Sequence, residues 1–245
     1  MDLYIIRHAQ STNNALPAEV ELRERVCDPL LTELGYRQAD HLAEHLATGR
    51  DGWSEAASAD PEAGGRPNTA PYGITHLVCS PMKRTLLTAQ PVSQALGLRP
   101  EIWLDIHEHG GIYLDHGEPA GKVGYPGITL PEVLAQFHGY RAPKGLTDRG
   151  WWRDGFEEWR ACQLRAEDVA RRLRAMNTGE AGIAMVTHGA FASALIMALV
   201  GTPHDARVHF SHHNTGISLV HFRPDGGIRL RYLNRVPHLP PDMIT

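Results

Sequence analysis

Apolar positions follow two rhythms along this chain of 245 residues. Short, nearly continuous apolar runs stand at 2–6 (DLYII), 74–80 (ITHLVCS), 101–106 (EIWLDI) and 182–189 (GIAMVTHG) and read as buried strands. Between them, apolar residues recur at helical spacing. Ala39, Leu42, Ala43 and Leu46 predict a helix that Thr32 caps, Glu33 favours in its first turn and Gly49 ends. Further helices are predicted over 81–97, with Pro81 in the first turn, over 156–176 and over 190–201. The stretch 214–234 reads as a hairpin turned at Pro224-Asp225-Gly226-Gly227. The stretch 50–72 is rich in Gly, Pro, Ala, Ser and Asp and reads as an inserted loop. Residues 107–155 break the alternation with dense Gly, Pro and aromatics and one short helix near 130–138.

Alternating strands and helices predict an α/β fold: a three-layer α/β/α sandwich, mainly parallel sheet, helices on both faces. The expectation is one domain over 1–245 with a cap-like insertion at about 110–155. Hydrophobic residues at 42% and charged residues at 21% suit a buried core. The formal net charge of −4 gives no basic excess, so no nucleic-acid partner is expected. No apolar run is long enough to span a membrane, and the N-terminus has no basic region followed by an apolar stretch and cleavage site. Cys27, Cys79 and Cys162 are widely spaced and form no C-x-x-C pair. The expectation is a cytoplasmic protein, and nothing in the sequence opposes a homodimer.

Ligands of open α/β sheets bind outside the carboxyl ends of the strands. There the chain places Arg7-His8, Ser80-Pro81-Met82-Lys83-Arg84, His107-Glu108-His109 and His188-Gly189. Two arginines suit a doubly charged phosphoryl group, because their planar forks match its oxygens. A neutral histidine is a competent covalent nucleophile. A second histidine can donate to the same group, and a carboxylic acid can protonate a leaving oxygen.

Four blocks carry a family resemblance. "RHAQSTNN" resembles R-H-G-E-S/T-x-x-N of the histidine phosphatase superfamily, the phosphoglycerate mutase-like proteins. "DPLLTELGYRQADHLAEHL", "VCSPMKRTLLTA" and "MVTHGAFASAL" resemble its later blocks, in order. The resemblance implies a histidine acid-type phosphatase that needs no metal or cofactor and acts on a small phosphorylated substrate. It implies His8 as the nucleophile that becomes phosphohistidine, Arg7 and Arg84 as phosphoryl clamps, and His188 as the second pocket histidine. Asn14 falls at the family's pocket asparagine, with Asn13 adjacent as the other candidate, while Ser11 and Gly189 would be supporting. Glu108 fits the proton donor and Asp105 is the fallback. Ala9-Gln10 replaces the usual Gly-Glu, which makes Gln10 a candidate for altered substrate preference.

Several alternatives remain open. "RVCDPLL" and "IHEHGGIY" do not match the mutase-specific segments of the family, which favours hydrolysis over phosphotransfer. A non-catalytic phospho-ligand-binding protein on the same fold is another reading. His107, Glu108, His109, His212 and His213 offer metal-ligand chemistry, although no H-E-x-x-H is present. Cys79 with an Arg five residues on superficially resembles a catalytic-cysteine loop, but that loop lacks glycines, and Pro81 removes an amide donor. Tyr113, Tyr125, Phe137, Tyr140, Trp151 and Trp152 either line a substrate pocket or form a small satellite core.

Overall fold

The computed structural model describes residues 1–17, 19–49, 72–177 and 182–245. The loop expected over 50–72 lies, apart from Tyr72, outside the described residues. In chain order the strands are β1 (Asp2–Arg7), β2 (Ile74–Cys79), β3 (Glu101–Ile102), β4 (Tyr113–Asp115), β5 (Lys122–Gly124), β6 (Gly182–Thr187), β7 (Ile217–Phe222) and β8 (Ile228–Arg235). The helices are α1 (Glu21–Glu24), α2 (Glu33–Thr48), α3 (Lys83–Leu96), α4 (Leu130–Gln136), α5 (Trp159–Ala175) and α6 (Gly189–Val200).

Six strands form one mixed sheet in the order β3-β2-β6-β1-β7-β8. β1, β2, β3 and β6 run parallel, and the β7–β8 hairpin adds antiparallel to β1. Strand side chains alternate between faces. Tyr4, Ile6, Leu77, Ala184 and Val186 pack on one face with Leu42 and Leu46 of α2 and Leu86 and Ala89 of α3. Leu3, Ile5, Val78, Ile183 and Met185 pack on the other with Val169 and Leu173 of α5 and Phe191 and Leu195 of α6. Both faces are covered, which is why the central strands read as continuous apolar runs. The fold is the expected three-layer α/β/α sandwich.

Helix ends follow local chemistry. Thr32 caps α2 through the Gly35 N–H at 3.0 Å, and Gly49 closes it in the left-handed region. Two boundaries differ from the periodic reading. Helix α3 starts at Lys83, after Pro81, because the Lys83 N–H donates to Asp28 Oδ1 at 3.0 Å and the Met82 N–H to Ser80 Oγ at 3.4 Å. Helix α5 starts at Trp159, because Phe156 packs on His109 and Tyr113 and the Glu157 N–H is held by Gly110 O.

The third strand is also shorter than its apolar run. It stops at Ile102, and Leu104–Ile106 form a 3-10 turn that swings the chain out of the sheet. The following excursion contains the β4–β5 hairpin and α4, which has a Thr129–Glu132 capping box. Its apolar side chains do not make a separate core. Ile112, Ile128, Phe137, Tyr140, Trp151 and Trp152 join the α2/α3 cluster, and the Tyr140 hydroxyl donates to Leu86 O at 2.9 Å. Among the described residues no helix is long and apolar enough to cross a membrane.

Gly35 lets α2 approach the loop after β1. A Cβ there would stand 2.1 Å from the Gln10 carbonyl oxygen, which is backbone and cannot swing aside. On an exposed helix Gly→Ala gains about 1 kcal/mol. Here Gly35→Ala is expected to destabilise instead, by roughly 1–3 kcal/mol, as forced overpacking does. Urea denaturation checks the sign.

Candidate active site

Residues 7 and 8 form the exit of β1, and the sheet holds them through the backbone. The His8 N–H donates to Thr187 O at 2.8 Å, and the Arg7 N–H to Gly216 O at 3.2 Å. On the far side the Thr215 N–H reaches Arg7 O at 3.0 Å, and Asn214 Nδ2 donates to His8 O at 2.9 Å. The Ala9 N–H is taken by Thr88 Oγ1 at 3.0 Å. His8 is thus fixed in place before its side chain is considered.

The His8 ring is buried and has two short contacts. Nδ1 lies 2.7 Å from Ala9 O, a contact that requires the proton on Nδ1. Nε2 then carries the lone pair, and it accepts from Arg84 Nε at 3.1 Å. Burial, then the nearby Arg84 and Arg7 guanidinium groups, holds the His8 pKa well below the usual imidazole range. The ring is a neutral base with its free electron pair directed at a cation.

Arg84, in the first turn of α3, is itself buried, which lowers its pKa; Asp28 and Glu108 oppose that lowering. Its Nη1 lies 3.9 Å from Asp28 Oδ1. Burial raises the Asp28 pKa to about 6, against the attraction of Arg84. Asp28 therefore serves both the N-terminus of α3 and its arginine. Sequence reading passed over it; the signal was a lone carboxylate before Pro29 in an otherwise apolar stretch.

Arg7 Nη1 donates to His212 O at 2.6 Å, and its buried Nε has no hydrogen-bond partner. Burial lowers its pKa, and Glu108 opposes the shift. Gly189 opens α6 beside this guanidinium; a Cβ there would sit 3.5 Å from Arg7 Nε. His188, just after β6, is fully buried, with its ring centroid 5.2 Å from that of His8. Its Nε2 meets Ser80 Oγ at 2.7 Å, and its Nδ1 has no partner. Ser80, also at a strand end, is a second supporting residue that the sequence reading did not single out.

Glu108 reaches the N-terminus of α6. Oε1 accepts from Phe191 N at 3.0 Å and His109 N at 2.9 Å, while Oε2 has only a 3.4 Å contact from Ala190 N. Asp105 goes elsewhere. It lies in the 3-10 turn, and its Oδ2 meets Arg172 Nη1 of α5 at 3.4 Å. The early end of β3 separates the two carboxylates in this way.

The loop after His8 closes on itself. Asn14 Oδ1 accepts from Ser11 N, Ser11 Oγ and Asn214 Nδ2, so Ser11 and Asn14 form one unit with Asn214. Asn13 faces away, exchanging two hydrogen bonds with the Val26 backbone at 2.9 and 3.1 Å. The Gln10 side-chain oxygen accepts from Thr32 Oγ1 at 2.7 Å, and the Gln10 backbone N–H donates to Gln38 Oε1 at 2.8 Å. Its side chain is thus engaged by the cap of α2, a place where an acceptor oxygen is what counts.

Among the described residues, no three His, Cys, Asp or Glu side chains are grouped as a metal ion would require. His107 Nδ1 is spent on Leu104 O and His212 on Phe210 O and Ser218 Oγ. Cys79 is fully buried, and burial raises its pKa strongly, so it is no thiolate nucleophile.

Neutral burial of histidines has a consequence for stability. His8, His107 and His188 have lowered pKa values; His212 falls to about 4 and His238 to about 3, burial being the main cause in each. Below pH 6.5 the unfolded chain takes up these protons and the folded chain does not. Stability is therefore full above about pH 6.5 and falls as pH drops, by at most about 1.4 kcal/mol per pH unit for each histidine that stays neutral in the folded chain. Asp28, raised to about 6, acts in the opposite direction but is a single group. The denaturation midpoint is expected to be clearly lower at pH 5 than at pH 7; equal midpoints would contradict the neutral burial.

Comparisons with known proteins bear on this geometry. Among curated proteins, none matches this sequence. Solved structures do match in fold. The α-ribazole phosphatase from Shigella flexneri aligns at 20% identity and TM-score 0.60, covering 96% of each chain. The mycobacterial glucosyl-3-phosphoglycerate phosphatase aligns at 18% and 0.56, covering 96% of this chain and 99% of that one. The phosphoserine phosphatase from Entamoeba histolytica aligns at 18% and 0.55, covering 98% and 99%. A profile of the histidine phosphatase superfamily (branch 1) matches residues 66–235, which include Arg84, Glu108 and His188. The chain belongs to the histidine phosphatase superfamily.

Proposed function

We propose that this chain hydrolyses a small phosphomonoester through a phosphohistidine on His8. The observation that carries the reading is the His8 ring: neutral, buried, its Nδ1 proton on Ala9 O and its Nε2 lone pair against Arg84. Fold neighbours named as phosphatases support hydrolysis as the reaction class.

The steps balance with the chain's own groups. Arg84 and Arg7 hold the phosphoryl oxygens, so Arg84 exchanges its contact with Nε2 for one with substrate. With Ser80 donating to Nε2 of His188, the free Nδ1–H of His188 is a donor for the same phosphoryl group. His8 Nε2 attacks phosphorus, and the P–O bond to the leaving group breaks. The leaving oxygen takes a proton from Glu108. Oε2, whose one contact is the 3.4 Å approach of Ala190 N, is the oxygen free to deliver it. The Glu108 carboxylate then accepts a proton from water as the water oxygen attacks the phosphohistidine, releasing phosphate and restoring both groups.

His8→Ala is expected to lower turnover of p-nitrophenyl phosphate by at least ~10³-fold, since the nucleophile itself is lost. Steady-state assay of the folded variant checks this. Retained turnover would overturn the reading.

A further inference from the structure

Behind Glu108 lies a buried cluster that the reaction itself does not use. Arg165 of α5 commits all five of its N–H donors. Nε and Nη2 fork onto Glu157 Oε1 and Oε2 at 2.8 and 2.6 Å. Nη1 donates to Asp105 O at 2.9 Å and to His107 O at 3.0 Å, and Nη2 also reaches Cys162 Sγ at 3.6 Å. The Arg165 and Glu157 side chains are 13% and 9% exposed, so this is a desolvated bidentate pair.

The two carbonyls it holds are informative. His107 O belongs to the peptide that supplies the Glu108 nitrogen, and Asp105 O belongs to the turn leading into it. The guanidinium also lies 4.6 Å above the Phe191 ring, and the Phe191 N–H is the donor that grips Glu108 Oε1. Arg165 thus fixes the backbone on one side of Glu108 and the residue that orients its carboxylate on the other. His107 completes the cluster, with Nε2 3.6 Å from Glu157 Oε1 and its ring packed on Trp151 and Trp152 of the insertion.

We propose that Arg165, locked by Glu157, is the positioning residue for Glu108, aiming its carboxyl at the leaving oxygen. This rests on Glu108 being the proton donor. A lysine keeps the charge but cannot fork onto Glu157 while holding two carbonyls.

The test is kcat/KM across phosphomonoesters whose leaving groups run from nitrophenol to simple alcohols. It uses wild type, Glu108→Gln, Arg165→Lys, Glu157→Gln and the double variant Glu108→Gln with Arg165→Lys. An alcohol needs a proton as it departs, whereas nitrophenolate leaves without one. Glu108→Gln is expected to lose ~10²–10⁴-fold on the alkyl esters and little on the nitrophenyl ester. Arg165→Lys is expected to show the same selective loss, about tenfold or more, and no further loss in the Glu108→Gln background. If Arg165→Lys does not fold, the milder Glu157→Gln carries the same expectation. An equal loss across all leaving groups, or none, in the Arg165 and Glu157 variants overturns the proposal while leaving Glu108 intact. A flat leaving-group response of Glu108→Gln itself overturns the assignment of Glu108.

Discussion

A histidine in a pocket built for anions has to stay neutral to act as a nucleophile. His8, the nucleophile of the reaction proposed above, meets that constraint through its surroundings. Burial and two flanking guanidinium groups keep His8 unprotonated, while Ala9 O fixes which nitrogen holds the remaining proton. Neither would serve if the backbone could shift. Thr187 O, Thr88 Oγ1, Asn214 and Thr215 therefore hold the peptides of residues 7–9 from β6, from α3 and from the turn that leads into β7. The central parallel strands and the β7 side of the sheet meet at this one point.

Two buried arginines show how donor saturation separates roles. Arg165 has a bidentate carboxylate, two carbonyls and the Cys162 sulfur, so none of its five N–H donors is left for a ligand. Arg84 has a carboxylate only at 3.9 Å and one bond to His8, which leaves most of its fork for incoming oxygens. Arg7 likewise keeps a buried Nε without a partner. The same residue type, largely covered in each case, has nothing to offer a ligand where its donors are spent and keeps donors to offer where they are not. The near carboxylates also limit the cost of burying these cations.

Most strand positions and helix spans could be read from period alone, because the central strands are buried on both faces and α2 and α5 each bury one stripe; the order of the strands in the sheet could not. Nor could three local features. The run at 101–106 is mostly apolar, but only two residues pair in the sheet, since Arg141 O takes up the Ile102 N–H and the chain then turns. The β4–β5 hairpin is three residues per strand, too short for alternation to register. The insertion's aromatics looked like pocket lining or a satellite core, yet Phe137, Tyr140, Trp151 and Trp152 extend the main core.

The candidate site was legible where a residue ends or directly follows a strand, because topology collects strand ends: Arg7, His8 and His188 are of that kind, and Glu108 follows the run read as a third strand although β3 itself stops at Ile102. Partners recruited from elsewhere were not legible. Asp28 precedes α2 yet caps α3, Asn214 enters from the hairpin, and Arg165 acts from mid-helix. Gln10 stands between these cases. It departs from the family pattern, and its amide oxygen accepts from Thr32, a contact its position in the sequence did not show.

The most direct test of the account is to trap the intermediate. Wild-type protein mixed with excess p-nitrophenyl phosphate and quenched in alkali within one turnover should yield, on peptide mapping by mass spectrometry, a phosphoryl group on Nε2 of His8. Turnover with no phosphorylated His8 at any quench time, or with the label on another residue, would contradict it.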